Sequence, residues 1–327
     1  MPLSYMGRGT GLGMAKESTW GTAVSRTDWM ELVSSSLART VDRTYRPHLV
    51  GSDAGGPGSA VRQEVFDGAD NVGGDVEFEG VYNAVCLGHA LFAAMGTAST
   101  AGSGPYTHTI TMGATLPSWT MEFLRGTGKA ADSEVFEGMK CSSLTLSQAV
   151  NDIMRVRTSW IGQTSGGRES GGSPTYTSSA APILHTQAGS LTWNSVTYAA
   201  ITSAEINIDN ALERRQFLGS AVTTEPDFSG WREITLNLSL HWNSTTDSLQ
   251  AGFIAGTSSD AVINWTGSGN NRLNCTIHNC VVISASDPIS SEGVVTQSVS
   301  LRGRADSSDS GVAIALINDT AGGSYDW

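Results

Sequence analysis

The sequence predicts a mainly β protein, built as two small β-sandwich or β-barrel domains in tandem, each with one flanking α-helix. Three observations carry this expectation. Short segments alternate apolar and polar residues, as in Asp75-Val76-Glu77-Phe78-Glu79 and Thr235-Leu236-Asn237-Leu238-Ser239; a period of two gives a strand one buried and one wet face. The chain holds 38 glycines and only 15% charged residues among many serines and threonines, which suits short strands and frequent turns. The order of elements in the first half also returns in the second.

Residues 1–22 are Gly-rich and read as an N-terminal arm. Gly7, Gly9, Gly11 and Gly13 imitate a nucleotide loop only superficially, because no strand precedes them and no Lys-Ser/Thr follows. A first domain is expected over residues 23–165. It runs from Val33-Ser34-Ser35 through a Gly/Ser/Pro-rich loop at 51–60 to the strand at 75–79. A helix from Tyr82 to Met95 comes next, with Ala84, Leu87, Gly88, Leu91 and Met95 on one face and Gly96 at the left-handed C-cap. A strand then sets Trp119, Met121 and Phe123 against Ser118, Thr120 and Glu122. Strands at Cys141–Leu144 and Val156–Gly162 close the unit. A linker is expected over 166–184, a second domain over 185–320 and a C-terminal tail over 321–327.

The second domain repeats the first. Ile201-Thr202-Ser203 answers Val33-Ser34-Ser35 at an offset of 168 positions, and the strand at 235–239 answers 75–79 at an offset of 160. A helix from Ser244 to Ala255 has Ser244 and Asp247 at capping spacing, Leu249 and Phe253 one turn apart, and Gly256 as its C-cap. Cys280 to Ile283 answers Cys141 to Leu144, and Gln297 to Gly303 answers Val156 to Gly162 at an offset of 141. Such units leave sheet edges open, and equivalent edges can pair head to tail until a ring closes.

Charge narrows the function. The formal net charge is −12 and the only lysines are Lys16, Lys129 and Lys140, so a basic patch that grips nucleic acid is not expected. An acidic surface instead suits a conduit through which DNA slides without sticking. Cys86, Cys141, Cys275 and Cys280 lie in apolar or strand-like stretches and read as reduced thiols. Met1 to Gly13 lacks the apolar core of a signal peptide, and no run reaches membrane-spanning length, so no membrane partner is expected.

The densest acidic run, Asp67, Asp70, Asp75, Glu77 and Glu79, admits a calcium loop, a glycosidase carboxylate pair or a solvated face. Its spacing is not that of an EF-hand, and adjacent acids on one strand face make a poor catalytic pair. The solvated face is preferred, with Thr235, Asn237 and Ser239 at the matching positions. Cys275, His278 and Cys280 resemble zinc ligands, but on a regular strand Cys275 and Cys280 point to opposite faces, which favours packing. No nucleophile elbow or metalloprotease helix motif occurs. The expectation is therefore a non-enzyme with no catalytic residue, cofactor or metal.

Several segments resemble one family. Lys16-Glu17-Ser18-Thr19-Trp20-Gly21-Thr22 is similar to the opening signature of long-tailed bacteriophage tail tube proteins. Gly73 to Phe78 with the helix up to Gly96 resembles that family's second element, and Leu116-Pro117-Ser118-Trp119-Thr120 its next strand start. Phe136 to Lys140, Ile208 to Glu213 and Leu316 to Asp319 continue the series in order, so the resemblance covers roughly residues 10–320. It implies a virion protein, made in the bacterial host cytoplasm, that self-assembles into stacked rings forming the tail tube. DNA would pass through without specific binding. A duplicated chain would close as a homotrimer with a pseudo-hexameric ring, a hexamer being the alternative. The resemblance further implies partners in the tape measure protein, the tail terminator and the distal tail or baseplate proteins. It makes Asp75, Glu77, Glu79, Thr235, Asn237 and Ser239 candidates to line the lumen, and residues 1–22 and 51–73 candidates for contacts between rings. Two other readings stay open at this point: a carbohydrate-binding or adhesin-like β-protein of a virion surface, and a single-ring protein of the tail terminator type.

Overall fold

A computed structural model describes residues 10–45, 65–125, 133–169, 172, 174, 176, 181–286, 294–325 and 327. The loop expected at 51–60 and residues 1–9 lie outside the described residues. In the first half the strands are β1 (Gly11–Lys16), β2 (Asp28–Met30), β3 (Ser34–Ser35), β4 (Ala38–Tyr45) and β5 (Val65–Glu79). Helix α1 (Val85–Met95) follows, then β6 (Gly96–Ala101), β7 (Tyr106–Met112), β8 (Trp119–Leu124), β9 (Ser133–Ala149), β10 (Arg155–Gly162) and β11 (Thr164–Glu169). The second half contains β12 (Leu191–Trp193), β13 (Val196–Tyr198), β14 (Ile201–Asp209), β15 (Leu212–Arg215), β16 (Thr224–Phe228) and β17 (Glu233–His241). Helix α2 (Asp247–Ala255) precedes β18 (Ser258–Thr266), β19 (Arg272–Ser286), β20 (Thr296–Arg302) and β21 (Val312–Asn318).

The chain is mainly β, with antiparallel sheets throughout. Two long strands organise it. The first part of β9 pairs with β8 and β11, whereas its second part pairs with β10 and β14. Strand β19 does the same, pairing first with β18 and β21 and then with β20. Each strand therefore passes from one sheet layer to the other. The turning points need unusual backbone: Gly138 has φ 66° and Asn279 φ 51°. A side chain on Gly138 would also strike the Trp20 ring, so this bend belongs to glycine on two counts.

One layer runs without a break through β3 and β4, β5, β10, β9, β14, β17, β20 and the second part of β19. The other contains β2, β1, β8, the first part of β9 and β11 on one side, and β6, β7, β21, the first part of β19, β18, β12 and β13 on the other. A single hydrophobic cluster fills the space between and draws residues from both halves, such as Val76, Leu91 and Phe136 with Ile206, Leu236 and Ile314. The alternation that predicts the strands is obeyed where one face is wet: in β17 every second residue from Ile234 to Leu240 is buried.

Three local expectations change in the structure. The outer face of β8 is not solvated. Thr120 and Glu122 are buried, because the segment after β1 folds over them and supplies polar partners. Helix α2 starts at Asp247 rather than Ser244, and no side chain of its N-cap residue Thr246 closes it. The Asn243 carboxamide accepts the Thr245 and Thr246 N–H groups instead. Finally, Cys275 and Cys280 do not point to opposite faces. The irregularity at Asn279 turns the strand, and both side chains are fully buried. All four cysteines are free thiols.

The C-caps agree with the sequence. Gly96 and Gly256 are left-handed, with φ 94° and 64°, a region that costs residues with a Cβ. Strand β11 lies at the start of the segment expected as a linker, and β1 within the expected arm. The last residues dock on the first half. Tyr325 and Trp327 stack at 4.2 Å, and Trp327 also packs edgewise on Phe92 of α1.

Candidate functional site: one polar face and its two ends

All six residues singled out on the alternating strands share one face. Asp75, Glu77 and Glu79 sit on the side of β5 opposite buried Val76 and Phe78, and Thr235, Asn237 and Ser239 on the side of β17 opposite Leu236 and Leu238. The ladders join them into a continuous surface. One cross-strand row reads Glu79, Arg155, Ser147, Glu205, Asn237, Ser300 and Ser284. A second reads Glu77, Arg157, Thr145, Asn207, Thr235 and Arg302. Every position in both rows is polar, and where β9 of the first half meets the strands of the second a groove of about 490 Å³ is floored by Ser147, Glu205, Asn237, Ser239, Ser298 and Ser300.

The electrostatics of this face were only half legible. The sequence marks its acids, but the structure adds Arg155, Arg157 and Arg302 between them. Arg157 pairs with Asp75, Arg155 lies 3.4 Å from Glu79, and Arg302 lies 3.1 Å from Glu233. A hydrogen bond from the Ser159 hydroxyl, together with the Arg157 guanidinium, holds the Asp75 carboxyl below its usual range. Six carboxylates, Asp75, Glu77, Glu79, Glu205, Asp209 and Glu233, stand against those three arginines. The alternating Arg155-Val156-Arg157 is the sequence signal that would have revealed them. Elsewhere in the acidic run, Asp67 pairs with Arg43 at 2.9 Å and Asp70 with Arg39 at 2.7 Å.

The sheet carrying this face has a junction inside it and an open edge at each end. At the junction β14 pairs with β9 from Ser203 opposite Ala149 to Asp209 opposite Ser143. Side chains then lock the two halves. The Trp265 indole donates to the buried Gln148 carboxamide at 2.6 Å. Asn210 donates to the Ala94 and Cys141 carbonyls at 3.0 and 2.9 Å. Arg232 donates to Asn210, to the Gly113 and Ala94 carbonyls, each at 2.8 Å, and to the Met95 carbonyl at 3.4 Å. The last carbonyls of α1 are thus capped by residues more than a hundred positions away. No local pattern announces these caps, because an isolated Asn and Arg carry no periodicity.

The two ends of the sheet are β3, paired on one side with β5, and Val282–Ser286 of β19, paired on one side with β20; neither has a second partner strand among the described residues. Both are short and rich in serine.

The opening signature is a structural lock. Glu17 is buried and accepts hydrogen bonds from the Gly138 N–H at 2.8 Å, the Gly21 N–H at 2.9 Å and the Thr120 hydroxyl at 3.0 Å. Trp20 donates to the Gly138 carbonyl at 3.2 Å. Glu122 likewise accepts from Ser133 and from the Gly172 N–H and pairs with Arg26. These networks pin the crossing segment over the outer sheet at the bend of β9.

Comparison with known proteins identifies one family. The sequence model of one family, described as phage tail tube protein, matches residues 7–303. No match is found among the curated proteins.

Proposed function

The chain belongs to the phage tail tube protein family, a structural family of the virion tail, and on that premise we propose that it closes a trimeric ring by repeating between chains the β9–β14 junction it makes within itself. That internal junction is the observation that carries the reading. Hydrogen-bonded registers relate the two halves. Glu77 is opposite Ser34 and Arg157, and Asn237 is opposite Glu205 and Ser300. Gly74 is opposite Trp160, and the Gly303 N–H donates to the Ile234 carbonyl. On this scale Asp75, Glu77 and Glu79 correspond to Thr235, Asn237 and Ser239, the offset of 160 read from the sequence. Ser34 corresponds to Glu205 and Trp160 to Gly303, so the flanking offsets are 171 and 143 in place of 168 and 141.

This supports a duplicated unit, with 23–165 and 185–320 as its two copies joined at 166–184. Carrying the β9–β14 register over to the free ends sets Ala285 of one chain opposite Ser35 of the next, with Ser286 opposite Ser34 and Ser284 opposite Ser36. Three chains then make six units around the ring. A hexamer would double that count and needs a different curvature at the same junction.

In this reading the polar face lines the lumen. Its excess of carboxylates repels phosphate, and each of its three arginines already has a carboxylate within ion-pair range, so DNA meets no exposed row of cations. The charge is uneven around the ring, because each half brings three carboxylates but the first brings two of the three arginines, Arg155 and Arg157, and the second only Arg302. Stacked rings would form the conduit for DNA ejection. They would enclose the tape measure protein during assembly and meet the terminator at one end and the distal tail or baseplate proteins at the other. Non-enzymatic scaffolding is the whole of the proposed activity.

The test is disulfide trapping in assembled protein. Ser35 and Ala285 lie at opposite ends of an eight-strand sheet, roughly 34 Å apart along it at ~4.8 Å per strand step, too far for an internal bond. Chains carrying Ser35→Cys and Ala285→Cys are expected to give covalent trimers on mild oxidation and hollow tubes by electron microscopy. Tubes whose subunits do not cross-link would refute this junction, a ladder reaching six chains would replace the trimer by the hexamer, and failure to form any ring would overturn the assembly itself.

A further inference from the structure

The two helices occupy matching places in the two halves but meet very different surroundings. With Gly96 and Gly256 as their C-caps, Ala94 corresponds to Ile254 and Met95 to Ala255 at the same offset that relates β5 to β17. Ten residues of α1 are buried, whereas in α2 only Leu249 and Gly252 are. Phe253 is 42% and Ile254 78% exposed. Leu249 and Phe253 are one turn apart, yet only Leu249 is buried in the isolated chain.

The difference has a visible cause. The C-terminal end of α1 is closed by the other half of the molecule, through Asn210 and Arg232 on its last carbonyls. Neither helix has a basic residue in its last turn, so each presents the negative end of its dipole without local compensation. Arg232 supplies the missing cation to α1. No side chain among the described residues caps the Ile254 and Ala255 carbonyls of α2.

We propose that α2 is completed by a second copy of this chain, whose Arg39 caps the last carbonyls of α2 and whose first half covers Phe253 and Ile254. The inference rests on the ring reading above. Its own ground is the position of Arg39, which corresponds to Asn210 by the register that matches Ser34 to Glu205. At the internal junction Asn210 bridges the end of α1 and the Cys141 carbonyl; at the junction between chains Arg39 arrives at the end of α2 beside Cys280. Arg39 is suited to this. Its Nε and one terminal nitrogen hold Asp70 at 2.8 and 2.7 Å, and the side chain stays 41% exposed. A guanidinium has five N–H donors, so those left over can serve carbonyls without breaking the Asp70 pair. Arg39 in one chain would then do for α2 what Asn210 and Arg232 do together for α1, joining a cation to the negative helix end while the exposed Phe253 and Ile254 leave water.

Ile254→Lys is the discriminating variant. A lysine at the exposed C-terminal turn suits the helix dipole, so the monomer is expected to melt at or slightly above the wild-type temperature. In the ring it would place a second cation against Arg39 and bury it, and assembly should need at least about tenfold more protein, a factor that corresponds to ~1.4 kcal/mol per contact. Hydrogen exchange on the unmodified protein gives a second measurement. Ring formation should slow exchange across 247–256 and leave 85–96 unchanged, because α1 is already covered. Assembly of Ile254→Lys at the wild-type concentration, or equal exchange of 247–256 in monomer and ring, would overturn the proposal and leave the ring standing. Absence of rings from wild-type protein would instead remove the ring reading on which it depends.

Discussion

Replacing Arg232 by Met should weaken the joint between the two halves without emptying the space between them. The methionine keeps most of the side-chain volume, so the effect isolates the hydrogen bonds. Two acceptors, the Gly113 carbonyl and the Asn210 carboxamide oxygen, lose their Arg232 donor. The Ala94 and Met95 carbonyls keep one donor each, Asn210 at 3.0 Å and the Gly113 N–H at 2.6 Å. A buried acceptor left without a donor costs about 1–3 kcal/mol, and loss of a cation at a helix C-terminus about 0.3–2 kcal/mol. Burial is incomplete, since Arg232 itself stays partly exposed. Water can therefore reach part of the site, and the lower half of the range applies, about 3 kcal/mol in all. Urea unfolding of monomeric protein measures it, with the midpoint falling and the slope unchanged. Asn210→Ala in a double-mutant cycle should show coupling, because both residues serve the Ala94 carbonyl. A loss below about 1 kcal/mol for Arg232→Met would refute the argument that this guanidinium closes α1 and joins the halves.

Glu17→Gln should cost about 1.5–3 kcal/mol in the same assay, because one oxygen can no longer accept from its N–H partners while the site stays buried; a neutral change would mean that the opening signature does not hold the crossing segment. His89, fully buried in α1, has its pKa pushed down to about 3 by desolvation, from an ordinary value near 6.5. The unfolded chain therefore takes up a proton that the folded chain refuses. The resulting stability is complete above pH 6.5 and drains as the pH falls toward 3, with a slope of up to ~1.4 kcal/mol per unit. His89→Leu should flatten the pH dependence of the urea midpoint in that window; identical slopes would count against it. The thiols of Cys86, Cys275 and Cys280, pushed up to about 12 by burial, should resist alkylation at pH 8 until the protein unfolds, and rapid labelling of native protein would contradict their burial.

Much of the fold was written locally. Period-two alternation placed β5 and β17 and the polar side of each, because a strand with one wet side must alternate whatever surrounds it. The glycines at 96 and 256 fixed where both helices stop, since few other residues accept that backbone. The order of elements led to the expectation of a repeated unit, and the opening signature pointed to the family. Other features depended on segments far apart in the chain. Thr120 and Glu122 read as solvated until Glu17 and Arg26 were laid over them. The arginines that temper the acidic face lie far along the chain from their carboxylates, as Arg157 does from Asp75, and Arg232 reaches α1 across more than a hundred residues. The pairing of β14 with β9, and the exposure of Phe253 beside a buried Leu249, are likewise decided by which edges meet. A strand's own residues dictate which face is buried, because that follows from local geometry. Which neighbour lies beside it, and which helix end is capped by a distant side chain, is settled only when distant segments compete for the same edge.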